Sequence, residues 1–254
     1  MELNPVHYFI NKKNAHHGEA IAKGFDAEKV SPDRLQSGCL HLIGGLQHGS
    51  LGLMKQVRSH GEPYVFFDRA YFNGGPGSNR LRVVPGEYQK NWITMDEPDR
   101  FQRTGVQLKP WRQDGKHIML VPPANDAIKD LFGIHKWQAN TLHRLAGCTD
   151  RPIMVSVKGD PRPLAERLKD CWCVVTWTSN VAVEAICAGI PAFVSRHSAA
   201  APVAGPLDQL EYLIDSPPMP YRDRWAWSLA YGEFSVDEIA SGYASSIVMN
   251  QVTA

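Results

Sequence analysis

The side chains best suited to chemistry gather at Thr178, Ser179, Asn180 and Glu184. Hydroxyls and helix N–H groups bind phosphate oxygens, and a carboxylate accepts hydrogen bonds from vicinal hydroxyls. Lys158 supplies a cation of the kind that neutralises charge building on a leaving group. Asp68 follows the apolar run YVFF and is a candidate general base toward an acceptor hydroxyl, with His16 and His17 as alternatives. Each has a plainer role: caps for Ser179 and Asn180, a dipole charge for Glu184, a surface lysine, and an ion pair of Asp68 with Arg69 or another base. A second group interleaves cations and aromatics: Arg69, Tyr71, Arg80, Arg82, Tyr88 and Trp92. Stacking on a base with phosphate contact needs this mixture, and an aromatic loop packed on its own domain uses it too. Gly44-Gly45 ends an apolar run, where Gly45 lets a ligand approach the backbone.

These residues need elements to hold them. Trp172 to Trp177 is a β-branched and aromatic run that predicts a buried parallel strand. Ser179 or Asn180 caps the helix that follows, Gly189 closes it, and Ala192 to Val194 is the next strand. Ligands of open α/β sheets lie beyond the carboxyl ends of strands, so this segment offers its hydroxyls and carboxylate where a sugar nucleotide would lie. Upstream, strands are expected at 6–10, 39–43 and 64–67, with helices at 16–25 and 51–59. Residues 81–84 read as a short strand and 85–110 as loop and linker. HIMLVPP is a strand, 126–145 one helix, 163–169 a helix, and 223–231 and 236–249 the last two helices. Ser235 and Glu238 form a capping box. Alternating strands and helices favour parallel sheets.

TSNVAVEAICAGIPAFV resembles the donor-site signature of GT-B glycosyltransferases, S-x-x-x-x-E-A-x-x-x-G-x-P. It is closest to the capsule-polysaccharide and sialyltransferase-like branch, in which a Ser/Thr pair precedes the helix. In that branch an earlier strand ends in a basic residue and a Pro turn. PIMVSVKG followed by DPRPL stands there, with Lys158 in place of the usual His. The resemblance covers roughly residues 115–230. It implies an α/β fold of two small Rossmann-like domains facing each other and direct displacement from a nucleotide-sugar co-substrate. Lys158, Thr178, Ser179, Asn180, Glu184 and Gly45 would hold that donor. The chain has no D-x-D motif, which agrees with chemistry that needs neither metal nor cofactor. The compact size and the basic aromatic loop resemble phage transferases that glycosylate hydroxymethylated DNA bases, which makes DNA the expected acceptor partner. Such an enzyme must flip its base. A surface polysaccharide acceptor, or a nucleotide- or sugar-binding protein without turnover, are the alternatives.

Composition bounds these readings. The 254 residues suit two small domains, expected at 1–108 and 109–254, with C-terminal helices crossing back to the first. A net charge of +1 makes no global case for nucleic acid or an anionic membrane. Locally, residues 69–92 hold four basic residues and one acid, and residues 205–254 hold two basic residues and seven acids. The five cysteines have no metal-binding spacing; Cys171 and Cys173 read as packing residues. No apolar run approaches the ~20 residues of a membrane span, and MELNPVHYFI does not read as a signal peptide. The expected location is cytoplasmic.

Overall fold

The computed structural model describes residues 4–8, 15–30, 35–46, 50–75, 77–90, 93–123 and 125–252. In chain order the elements are β1 (Pro5–Tyr8), α1 (Ala15–Gly24), β2 (Glu28–Val30), β3 (Leu40–Gly44), α2 (Ser50–Ser59), β4 (Tyr64–Arg69) and β5 (Arg80–Pro85). Then come α3 (Asp99–Arg103), β6 (His117–Val121), α4 (Asp126–Phe132), α5 (Trp137–Ala146), β7 (Ile153–Val155), α6 (Leu164–Arg167), β8 (Cys171–Thr176), α7 (Val181–Cys187) and β9 (Ala192–Val194). The chain ends with β10 (Gly205–Pro206), α8 (Leu210–Leu213), α9 (Asp223–Tyr231), β11 (Glu233–Ser235), α10 (Val236–Ala240) and α11 (Tyr243–Val252). Two compact units result: residues 1–93 with 230–254, and residues 94–229.

The first unit carries a six-stranded sheet in the order β11-β5-β4-β3-β1-β2. Strands β2, β1, β3 and β4 are parallel, while β5 runs antiparallel to both β4 and β11. Alternate residues fill one core: Leu40 and Leu42, Val65 and Phe67, Leu81 and Val83, and Phe234, with Ile21, Ile239, Ala244 and Val248 from the helices. Successive strand side chains point to opposite faces, so Asp68, Arg82 and Glu233 share the face opposite this core. Close packing of α1 on α10 explains the glycine that ends α1. A Cβ on Gly24 would lie 1.6 Å from the Ile239 carbonyl oxygen.

The second unit holds an all-parallel sheet in the order β10-β9-β8-β6-β7. Every residue of β8 is buried, as its apolar run requires. Ile118 and Leu120 of β6, Cys173 and Val175 of β8, and Phe193 of β9 form a core with Trp137 and Leu145 of α5. Helix α5 buries Trp137, Thr141 and Leu145, one per turn, which is the amphipathic spacing. All five cysteines are free thiols; burial pushes the Cys171 thiol up to about 12, which fits a packing role.

Several sequence expectations need correction. The helix expected over 126–145 is two helices, because Gly133 takes a left-handed φ of 66° and caps α4. The helix expected over 236–249 breaks likewise at Gly242, φ 84°. The stretch 85–110, read as loop, contains α3. The capping box forms as expected: the Ser235 hydroxyl accepts from the Glu238 N–H, and the Glu238 carboxylate accepts from the Ser235 N–H. Among the described residues no helix is long and apolar enough to cross a membrane.

Candidate functional site

The residues singled out in the second unit lie at the carboxyl ends of its strands. After β8, Thr178 is buried, whereas Ser179 and Asn180 are half-buried. Asn180 occupies the N-cap position of α7, but the capping bond comes from Ser179, whose hydroxyl accepts from the Val181 N–H at 3.3 Å. The Glu184 side chain keeps solvent contact, and its carboxylate has no hydrogen bond or ion pair among the described residues. Surrounding protein nevertheless displaces enough water to push its carboxyl above the ordinary value, and the positive charge of Arg167 opposes the rise. Gly189, two residues after the end of α7, takes a left-handed φ of 81°.

The loop after β7 holds Lys158, which is exposed and has no hydrogen bond or ion pair among the described residues. Gly159 follows it with φ 93°. Sequence reasoning overlooked the ordered part of this loop. Asp160 accepts from the Arg162 backbone N–H, Nε and Nη2 at 3.0, 3.1 and 2.8 Å, and these bonds hold its carboxyl down at about 2. Arg167 donates through Nη1 to the Ser156 hydroxyl, and through Nε to the Arg162 carbonyl at 3.2 Å. The available signal was a run of cations, Lys158, Arg162 and Arg167, after a strand. A cavity of about 640 Å³ opens at the opposite, amino ends of these strands, beside Lys116, Gly147, Arg151, Pro152 and Asp215. It is remote from the strand ends that bind ligands in such sheets.

In the first unit, Asp68 and Arg82 stand directly opposite each other on β4 and β5, and Arg82 stands opposite Glu233 on β11. This register makes an acid–base–acid row across three strands. Arg82 is only 4% exposed and donates through Nη2 to Asp68 Oδ2 at 2.7 Å and through Nη1 to the Arg69 carbonyl at 3.0 Å. Its guanidinium lies 5.6 Å from the ring centroids of both Tyr71 and Tyr88. The Tyr71 hydroxyl donates to the Gln89 carbonyl at 3.0 Å. Tyr71, Arg82 and Tyr88 are therefore interior residues with no face free for a nucleobase. The sequence expectation of a stacking surface is corrected for these three. Arg69 is exposed and Arg80 half-buried, with Arg80 Nη2 donating to the Glu233 carbonyl. Trp92 lies outside the described residues, as does the side chain of His16; His17 is half-buried in α1. Gly45 follows β3 with φ 65°, and its N–H donates to the Phe67 carbonyl at 2.8 Å.

Glu233 ties the returning C-terminal strand to this row. It is fully buried and accepts from the Phe72 N–H at 2.6 Å, with Arg80 Nε 3.6 Å from its other oxygen. Burial pushes its carboxyl up to about 7 against those two stabilising partners. The native protein then holds a proton, between about 4.5 and 7, that the unfolded chain releases. Stability is therefore highest at the acid end of that window and is lost as pH rises through about 7, on the order of 3 kcal/mol in all. Glu233→Gln should flatten this slope in melting curves taken across the window. An unchanged slope would assign the pH dependence to other groups.

No family model matches the chain, and no curated protein matches it in sequence. Solved structures do match. A Thermosulfurimonas dismutans KpsC, beta Kdo 2,4 transferase, aligns at 11% identity and a TM-score of 0.53 over 89% of each chain. A second, the Thermosulfurimonas dismutans KpsC, beta Kdo 2,7 transferase, aligns at 11% identity and a TM-score of 0.52, over 96% of this chain and 99% of that one. The chain has a GT-B-like α/β fold, as these two proteins do. The likeness spans nearly the whole chain, well beyond the stretch that carries the signature.

Proposed function

We propose that the chain is a glycosyltransferase that moves a sugar from a nucleotide-activated donor to a hydroxyl of a saccharide, by direct displacement without a metal. The observation that carries this reading is the segment 178–189: a buried threonine, a capping serine and a carboxylate without a protein partner among the described residues, all beyond the end of β8. Glu184 takes the ribose hydroxyls. Thr178, Ser179 and a cation of the segment 156–167 meet the phosphate. Asp68, at the end of β4, is the first candidate for the acceptor base, with His17 and His16 behind it. The similar structures are Kdo transferases by name, so nucleotide-activated Kdo is the first donor to test. A DNA acceptor is the weaker reading, because Tyr71, Arg82 and Tyr88 are packed inside.

The test offers a panel of nucleotide sugars, including activated Kdo, to the wild type and to Glu184→Ala, and follows donor binding by calorimetry and transfer by product formation. Losing charge-assisted hydrogen bonds to ribose should weaken donor binding ~10- to 100-fold. Alanine is a good helix former, so the melting point should hold. Equal donor affinity in both proteins removes Glu184 from the site. Binding without product favours a protein that has kept the fold and lost turnover.

A further inference from the structure

Three cations follow β7, and they are not equivalent. Arg162 is neutralised by its three hydrogen bonds to Asp160. Lys158 is exposed and unpaired among the described residues, on a loop turned by Gly159, so fixing it on a ligand costs the rotamer freedom of a long side chain. Arg167 is already fixed. Its Nη1 and Nε are held by the Ser156 hydroxyl and the Arg162 carbonyl. Ser156 is only 4% exposed, and its own N–H donates to the Leu120 carbonyl of β6 at 2.8 Å. The guanidinium is thereby moored to the carboxyl end of the sheet.

An acid that Arg167 does not bond stands at the same end of the sheet. Glu184 stands on α7, which follows β8, and β8 and β7 are the two neighbours of β6 in the sheet; no ion pair within 4.0 Å joins it to Arg167, whose charge nonetheless bears on its carboxyl. Unbonded to each other, they offer a hydrogen-bond acceptor and a cation at one end of the sheet. A nucleotide has the complementary pair in its vicinal ribose hydroxyls and its 5′-phosphate. A planar guanidinium suits phosphate oxygens better than an ammonium does.

We propose that Arg167, rather than Lys158, is the cation that meets the donor phosphate, while Glu184 takes the adjoining ribose hydroxyls. The proposal rests on the reading of the second unit as a nucleotide-sugar site. It makes Arg167 a binding residue and leaves Lys158 a peripheral charge.

The experiment titrates uridine, cytidine and guanosine 5′-monophosphates, each beside its parent nucleoside, into the wild type, Arg167→Gln, Arg167→Lys and Lys158→Gln. The wild type should prefer one monophosphate over its nucleoside. Arg167→Gln should lower that preference ~10- to 100-fold while nucleoside affinity stays. Arg167→Lys should restore part of it, and Lys158→Gln should lower it by less than Arg167→Gln does. A preference that survives in Arg167→Gln, or falls further in Lys158→Gln, overturns the proposal and leaves the nucleotide-site reading standing. An equal drop for nucleoside and monophosphate in Arg167→Gln makes Arg167 a tie of the loop and likewise overturns it. A wild type that binds none of these ligands defeats both the proposal and the reading beneath it.

Discussion

Gly189→Ala should destabilise the second unit by about 3–8 kcal/mol, far more than a glycine that merely ends a helix. The residue sits at φ 81°, where an L side chain costs ~1–2 kcal/mol. The new Cβ would also lie 2.0 Å from the Pro110 carbonyl oxygen and 3.1 Å from that of Lys109. Both atoms are backbone, so no rotamer change relieves the overlap, and overpacking of this kind adds ~1–3 kcal/mol. The crossing segment is hydrogen-bonded at this point: the Arg112 N–H donates to the Gly189 carbonyl at 2.6 Å, and the Lys109 N–H to the Cys187 carbonyl at 2.9 Å. Pushing the segment away strains those bonds as well, at ~0.5–1.5 kcal/mol each. The loss is a large fraction of the ~5–15 kcal/mol that keeps a domain folded. Urea denaturation checks it. A loss near 1 kcal/mol would mean that residues 109–112 can move aside freely. Glu184 lies on the same short helix, so donor affinity should fall together with stability.

That glycine shows why the signature segment was legible. Strand β8, the capping serine, the helix and its closing glycine are local decisions, each made by a few neighbouring residues, and they agree with one another. The breaks at Gly133 and Gly242 were legible in principle, because a glycine in a left-handed conformation ends a helix whatever apolar spacing continues beyond it. The three-residue strands β2 and β11 were not. Strand β11 is defined by its pairing with β5, roughly one hundred and fifty residues earlier, and nothing local marks it as a strand.

The basic aromatic stretch misled for a related reason. Tyr71, Arg82 and Tyr88 have the same composition whether they grip a ligand or one another. The register that sets Arg82 between Asp68 and Glu233 decides the matter, and it is a long-range property. Arg167 was missed differently. The role proposed for it comes from being moored to Ser156 at the end of the sheet where α7 begins. A count of cations cannot rank Lys158, Arg162 and Arg167; their partners can.

Asp68→Asn should lower sugar transfer by ~10²–10⁴-fold, the usual contribution of a positioned general base, with donor affinity unchanged because Thr178, Ser179 and Glu184, the residues proposed to grip the donor, belong to the other unit. The structure gives this carboxylate a second duty that the variant also disturbs. Asp68 Oδ2 is the counter-ion of a guanidinium that is only 4% exposed, and Oδ1 accepts from the Arg69 N–H at 2.8 Å. Removing one partner of a buried pair costs ~3–5 kcal/mol, and the value here should fall at or below the lower end, since Asp68 is 31% exposed and asparagine can still accept a bond. A slow Asp68→Asn enzyme could therefore be a poorly folded one. Asp68→Asn combined with Arg82→Gln separates the two duties. With the uncompensated charge gone, stability should recover much of its loss, because a neutral pair is often as stable as a buried ionic one. Transfer should stay low, because neither amide can take a proton from the acceptor. Transfer that returns along with the melting point would make Asp68 a structural counter-ion and pass the role of base to His17 or His16.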